Sequence, residues 1–580
     1  MRTPDPVAVA AQPADAVVNS ALARLTQGLA PASIIGAYLD WATHLAGSPS
    51  KQYELLVKAQ RKLSRFAQYA MQAASPQCEP CIEPLPQDRR FAHPDWRTWP
   101  YNLLSQGFLL AQQWWWNATT AVRGVDAHHE YVVEFMTRQW LDTFSPSNFP
   151  WSNPEVLRET MRRGGGNLVQ GASNWSDDFL RLAANRPPAG TEHWRVGENL
   201  ALTPGKVVYR NRLIELIQYA PLGATVRPEP LLIVPSWIMK YYILDLQPHN
   251  SLVRYLVEHG YSVFMISWKN PGAEDRELGM DDYLRSGVLD ALDAIGKIVP
   301  GRRMHALGYC LGGTLLTMAG ALLARAGDER LATLSLLASE IDFEEPGELS
   351  LFIDESQISF LEDLMFTRGY LDGKEMGGAF ALLNSKDMVW SRMVRDYLMG
   401  ERPDVSDLAA WNADATRMPY RMHSEYLRRL YLGNDLTEGR YLVDGRPIAP
   451  TDIRAPMFVV GTQRDHVSPW RSVYKVNLFT DTEVTFLLTS GGHNVGVVNP
   501  PDNGFAGSRY QVATRKEGDR YIDPETWLAA TPARQGSWWP EYLAWLEARS
   551  GVVVAPPAMG AADAGLPPLG DAPGRYVLQD

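Results

Sequence analysis

Residues 304–324 restrict the fold more than any other stretch of the chain. Met304–Leu307 is a short, largely apolar run of the kind that forms a buried strand. Gly308-Tyr309-Cys310-Leu311-Gly312-Gly313-Thr314 follows at once, and then Leu315–Ala324, apolar on nearly every face and so expected to be a buried helix. A strand that enters a helix through a G-x-C-x-G turn holds its central side chain up at the top of a sheet. The glycines are needed because such a turn is strained and nothing bulky fits beside that side chain. The positive end of the helix dipole beneath it favours thiolate over thiol. Cys310 is therefore the candidate nucleophile, rather than a buried free cysteine in a Gly-rich turn.

A chain of 580 residues exceeds what one hydrophobic core supports, so two domains are expected. Its net charge of −11 argues against a nucleic-acid binder, which needs a concentrated basic face. Three cysteines in this length point to a reducing compartment rather than a disulfide framework. No apolar run reaches membrane-spanning length, and Met1-Arg2-Thr3-Pro4-Asp5-Pro6 lacks the layout of a signal peptide. The expectation is a cytoplasmic protein without a transmembrane segment.

Along the chain, residues 1–195 read as a mainly α-helical N-terminal domain, with 1–30, rich in Ala and Pro, expected to be flexible. Helical spacing of apolar residues begins at Pro31 and again at Ser48-Pro49, where serine can cap and proline suits the first turn. Cys78-Glu79-Pro80-Cys81 has neither the βαβ context of a redox pair nor a second ligand pair for zinc. His128-His129 lacks partners at ligand spacing and reads as surface. From about 196 to 550, strands alternate with helices: Leu231–Pro235, Ser262–Ser267, Met304–Leu307, Thr333–Leu337, Met457–Val460 and Val484–Leu488. That alternation predicts an α/β, doubly wound, mostly parallel sheet. Val207–Arg210 and Leu213–Tyr219 read as an edge hairpin. The gap from about 343 to 450 is too long for a crossover and predicts an inserted cap. Residues 551–580 form a Pro/Ala/Gly-rich tail, expected to be extended.

The elbow and its sheet are of the α/β-hydrolase-like type, in which nucleophile, acid and base follow in chain order. The strand at 457–460 runs into Gly461-Thr462-Gln463-Arg464-Asp465-His466, and that at 484–488 into Thr489-Ser490-Gly491-Gly492-His493-Asn494. Asp465 and His493 thus fall at strand carboxyl ends, where sites are built. His466 is the competing base but adjoins Asp465 and is expected to point elsewhere. His493 would take the Cys310 proton while Asp465 sets its tautomer, leaving the thiolate to attack a carbonyl. Two backbone N–H groups should hold the oxyanion: that of Leu311 and one from the loop near Trp237-Ile238. Spacing alone supports a cysteine acyl-transfer or hydrolytic enzyme and nothing narrower.

Gly308–Thr314 resembles the lipase-like box of polyhydroxyalkanoate synthases, especially the single-subunit class I type. The similarity extends to Arg464–Trp470, Gly492–Pro501, Lys240–Pro248, Trp411–Thr416, Gly536–Pro540 and Pro573–Tyr576. It departs from the family pattern at Met239, Ser468, Asn494 and over Phe505–Ile522. The resemblance implies a polymerase that loads (R)-3-hydroxyacyl-CoA on Cys310 and extends a polyester chain, releasing coenzyme A. It implies Asp465 and His493 as the rest of the triad, and Ile238 and Leu311 as the oxyanion amides. It also marks Asp245 as a candidate substrate-site residue, against the plainer reading of a helix-start aspartate. No cofactor and no metal are implied, since the thioester is substrate and CoA the leaving group. The implied partners are the growing polyester chain, the granule surface and a second copy in a homodimer. Two other readings compete: a cysteine acyl-CoA thioesterase or polyester depolymerase on the same fold, and a non-catalytic granule-coating protein.

Overall fold

The computed structural model describes residues 18–580 apart from 24, 25, 27, 76, 384 and 503. The chain divides into two compact units. One holds residues 191–376 and 405–580 with the described residues up to Gly28; the other holds 29–190 and 377–404.

The first unit is built on one sheet. Its strands are β1 (Gly205–Arg210), β2 (Ile214–Tyr219), β3 (Leu231–Val234), β4 (Val263–Trp268), β5 (Met304–Tyr309) and β6 (Leu331–Leu337). They continue with β7 (Met457–Thr462), β8 (Val484–Thr489), β9 (Arg509–Arg515), β10 (Ala533–Gln535) and β11 (Gly570–Asp571). The sheet runs in the order β10-β9-β8-β7-β6-β5-β3-β4-β2-β1-β11. The stretch from β8 through β3 to β4 is parallel throughout, and the strands outside it pair antiparallel. The central strands are continuously buried, as the apolar runs require of strands covered on both faces. Helices α1 (Leu252–Glu258), α2 (Asp290–Ile298) and α3 (Leu311–Arg325) make the crossovers before β4, β5 and β6. α3 is buried from Leu311 to Leu323, which is why its sequence shows no polar face.

The 196–550 expectation did not include β9, β10 or β11. β9 pairs with β8 from Thr489↔Tyr510 to Val484↔Arg515, at the periphery where half-polar sequence is tolerated. The tail after 551 is extended but not loose. Its Gly570 and Asp571 pair with Val207 and Lys206 of β1. Further on, the backbone N–H groups of Arg575 and Tyr576 donate to the buried carboxylate of Glu215 at 2.8 and 2.9 Å. Lys240 Nζ then donates to the Gln579 carbonyl at 2.6 Å.

The expected cap region carries helices Glu355–Arg368, Gly373–Leu383, Asp407–Asn412 and Tyr420–Tyr426. Its stretch 377–404 groups with the other unit. Residues 1–17 of the segment expected to be flexible lie outside the described residues, while 18–23 is helical.

The second unit is helical: Pro31–Ala46, Pro49–Gln72, Tyr101–Thr119, Ala127–Thr143, Pro154–Arg162 and Gly166–Ala183. Two of its tryptophans donate their N–H groups to backbone carbonyls, Trp41 to Ala118 at 2.9 Å and Trp114 to Leu55 at 3.1 Å, and Trp96 donates to Glu155 Oε1 at 3.2 Å. Arg90 is buried between Asp88 and Asp142, at 2.6 and 2.7 Å. His129 is not a free surface histidine, because its Nδ1 pairs with Asp40 Oδ2 at 2.7 Å. Cys78 and Cys81 are both free thiols. Gln106 Oε1 accepts from the Cys81 and Ile82 amides and fixes their turn. Among the described residues no helix is long and apolar enough to cross a membrane.

Candidate active site

Cys310 stands between β5 and α3 with φ +52° and ψ −128°, a backbone conformation that side-chain-bearing residues rarely adopt. Its N–H still donates to Leu337 O at 2.9 Å, and its carbonyl accepts from Ser339 Oγ at 2.6 Å. The turn closes because its neighbours are glycines. A Cβ on Gly308 would meet Gly313 Cα at 2.3 Å, and one on Gly312 would meet Val234 O at 2.1 Å. No side chain can occupy those positions without moving backbone.

Asp465 follows β7 and His493 follows β8. Thr462 Oγ1 donates to Asp465 Oδ2 at 2.8 Å, and the Val467 and Ser468 amides donate to Oδ1 at 2.9 and 2.8 Å. His493 Nδ1 lies 2.9 Å from Asp465 Oδ2. Burial pushes the Asp465 carboxyl up, but the His493 charge and these hydrogen bonds outweigh it and hold it below the usual carboxylate range. Burial pulls the His493 imidazole down. The Asp465 charge, the nearby Cys310 sulfur and the hydrogen bond to Asp465 outweigh that and raise it well above the ordinary histidine value. The three groups thus form one electrostatic unit: a thiol beside an imidazole that a carboxylate holds from the other side. His466 is exposed and takes no part.

Two features of this site were not legible from the triad spacing. Tyr309 is buried beside the imidazole, ring centres 5.6 Å apart, and its hydroxyl donates to Asn494 Oδ1 at 2.7 Å. Trp538 and Trp539 donate to the Gly496 and Val497 carbonyls at 2.9 and 3.0 Å, pinning the loop that carries His493. The Gly536–Pro540 motif was the only sequence signal for the second.

Leu311 is the first residue of α3, so its N–H has no acceptor within the helix. The loop after β3 is held through its carbonyls. Trp268 Nε1 donates to Pro235 O at 2.9 Å, Thr416 Oγ1 to Trp237 O at 2.6 Å and Thr416 N to Ile238 O at 3.1 Å. Trp411 Nε1 donates to Lys240 O at 2.8 Å. Among the described residues the Ile238 N–H has no protein acceptor. Ile238 and Leu311 each keep a little exposure, 8% and 7%.

The structure does not bring Asp245 to the thiol. It ends the turn Tyr241–Asp245, and its Oδ1 accepts from Thr203 Oγ1 and from Ser251 Oγ, the latter at 2.7 Å. Ser251 in turn caps α1, accepting from Arg254 N at 2.9 Å. Burial raises the Asp245 carboxyl, and none of its contacts is with Cys310, Asp465 or His493. Among the described residues no cluster of His, Cys, Asp and Glu is arranged to hold a metal ion.

Residues 87–256 match the family model described as Poly-beta-hydroxybutyrate polymerase (PhaC) N-terminus, and residues 9–51 the Poly-beta-hydroxybutyrate polymerase N terminal model. Residues 229–500 match the alpha/beta hydrolase fold model. The chain is 39% identical over 547 residues to the poly(3-hydroxyalkanoate) polymerase of Methylorubrum extorquens, spanning 92% of this chain and 89% of that one. It is 38% identical over 506 residues to the poly(3-hydroxyalkanoate) polymerase subunit PhaC of Rhizobium etli, spanning 86% and 78%. To that of Cupriavidus necator it is 36% identical over 497 residues, spanning 84% and 83%. At that identity and span, with an α/β-hydrolase sheet beneath the elbow, the chain belongs to the poly(3-hydroxyalkanoate) polymerase family, the enzymes of polyhydroxyalkanoate synthesis.

Proposed function

We propose that the chain polymerises (R)-3-hydroxyacyl-CoA through an acyl group held on Cys310. The observation that carries this reading is a cysteine, not a serine, at a strained elbow beside a His493–Asp465 pair. The Cys310 thiolate attacks the thioester carbonyl, and the Leu311 and Ile238 N–H groups take the charge that develops on its oxygen. The carbon–sulfur bond to coenzyme A breaks, and His493 returns the proton to the departing thiolate. One thioester replaces another, so the acyl group waits on the enzyme at little loss of energy. The 3-hydroxyl of a second acyl group gives its proton to His493 and attacks the acyl-Cys310 carbonyl. An ester forms and the Cys310 sulfur leaves as thiolate. No step calls for a cofactor or metal, because the substrate brings its own leaving group. On this reading the chain works in the cytoplasm at the surface of a polyester granule, as a homodimer.

Incubation with (R)-3-hydroxybutyryl-CoA and longer homologues, following free thiol and insoluble polyester together, tests it. Both should rise, and Cys310→Ala should abolish both. Coenzyme A released without polymer would establish a thioesterase instead.

A further inference from the structure

Beside the triad lies a second acid that the proposed chemistry leaves unused. Glu340 follows β6, two residues after Ala338 at φ +46°. Its carbonyl accepts from Thr314 Oγ1 at 2.7 Å, and Ser339 Oγ is bonded to the Cys310 carbonyl, so its backbone is tied to the elbow and to the first turn of α3. The residue is 4% exposed. Its Oε1 is fully removed from solvent and has no hydrogen-bond partner among the described residues.

Asp342, two positions on, shows what a buried carboxylate usually receives. Lys475 Nζ and Asn434 Nδ2 lie at 2.8 and 2.7 Å, and Thr437 Oγ1 at 3.0 Å. Among the described residues no cation is hydrogen-bonded to the Glu340 carboxyl, and the His493 charge that favours its ionised form is outweighed. Burial first, then the charges of Asp465 and Cys310, hold its carboxyl well above the usual range, so it keeps its proton and can donate.

Two phenols lie near enough to Glu340 and the thiol to interact with both. Tyr426 donates to the Tyr431 hydroxyl at 3.1 Å, and both phenols feel the charges of Cys310 and Glu340. Phe343 lies tilted against Tyr431, ring centres 4.9 Å apart, and Trp237 meets Tyr426 edge-on at 6.0 Å. A buried carboxyl with one oxygen left unpaired in such surroundings penalises any ligand that cannot answer it and favours one that can.

We propose that Glu340 is a specificity-determining residue whose buried carboxyl hydrogen-bonds the 3-oxygen of the acyl group carried on Cys310, hydroxyl in a monomer or ester oxygen in a chain. This rests on the acyl-CoA reading above. It makes the enzyme discriminate against acyl groups that are plain hydrocarbon at that carbon.

The test compares the full-length protein with Glu340→Leu and Glu340→Gln. The rate of the first equivalent of coenzyme A released is read from (R)-3-hydroxybutyryl-CoA and from butyryl-CoA. The unaltered enzyme should favour the hydroxy substrate by about tenfold or more. Glu340→Leu should bring the ratio close to one by losing rate on the hydroxy substrate alone, while melting no lower, since it removes an unpaired buried group. Glu340→Gln, which keeps a donor and an acceptor, should retain most of the preference. A Glu340→Leu ratio equal to that of the unaltered enzyme, or no preference in the unaltered enzyme, overturns the proposal. If neither thioester releases coenzyme A while iodoacetamide still labels Cys310, the substrate reading itself fails and takes this one with it.

Discussion

His493 is held between the Asp465 carboxylate and the Cys310 sulfur, and its proton is the most informative one in the molecule. Cys310→Ala should lower the imidazole pKa, read by NMR titration of the ring. The pair also makes stability depend on pH. Asp465, held low by His493, contributes fully above the ordinary carboxylate range and loses its contribution as pH falls through its depressed value. His493, held high, contributes fully below about pH 6.5 and loses it as pH rises through its raised value. The melting temperature should therefore drop on both flanks, and Asp465→Asn should flatten both. The same variant leaves the ring without its tautomer lock, so acylation should slow by about 10²–10⁴-fold in a CoA-release assay. Cys310, Asp465 and His493 were readable because each ends a strand in a glycine-rich or polar turn. Glu340 and Tyr309 were not, since nothing in a local pattern says which way a side chain after a strand will face. The direction of Asp245, into Thr203 and Ser251, was hidden for the same reason, although its motif was visible.

The strand-to-helix turn makes the sharpest statement at the scale of an element. Gly312→Ala places a Cβ 2.1 Å from Val234 O and 2.6 Å from Pro235 O, both backbone. It should destabilise the sheet-bearing unit by about 2–4 kcal/mol, seen in thermal melts, and abolish labelling selectivity at Cys310. Gly320→Ala in the same helix is the control, because its Cβ meets side chains, the Leu334 methyls at 3.3 Å and Ile453 Cγ1 at 3.7 Å, and the methyls can turn aside. The parallel strands were legible since burial on both faces demands unbroken apolar runs such as Leu231–Val234. β9 was not, because Arg509-Tyr510-Gln511-Val512-Ala513-Thr514-Arg515 is half-polar and becomes a strand only by pairing with β8.

For the whole molecule, division into helical and sheet-bearing parts could be read from composition and periodicity. The grouping of 377–404 with the helices of 29–190 could not, since it depends on contacts remote in sequence. The tail illustrates the same limit. Many of its ties run through backbone groups, which leave no pattern in side chains. Deleting Gln579 and Asp580 removes the acceptor of Lys240 Nζ, a buried ammonium in the loop that carries Ile238. That should cost about 1–3 kcal/mol and depress acylation, although Cys310 itself is untouched. Urea melts and CoA release measure the two effects.

The order of strands sets when the thiol becomes reactive. Cys310 leaves β5, whereas His493 leaves β8, which reaches the sheet only through β6 and β7. During refolding the sulfur should behave as an ordinary cysteine until that last parallel neighbour docks, then change abruptly in its rate of alkylation. A pulse of iodoacetamide during refolding therefore times the pairing of these strands, and a labelling rate that changed gradually with helix formation would argue against it.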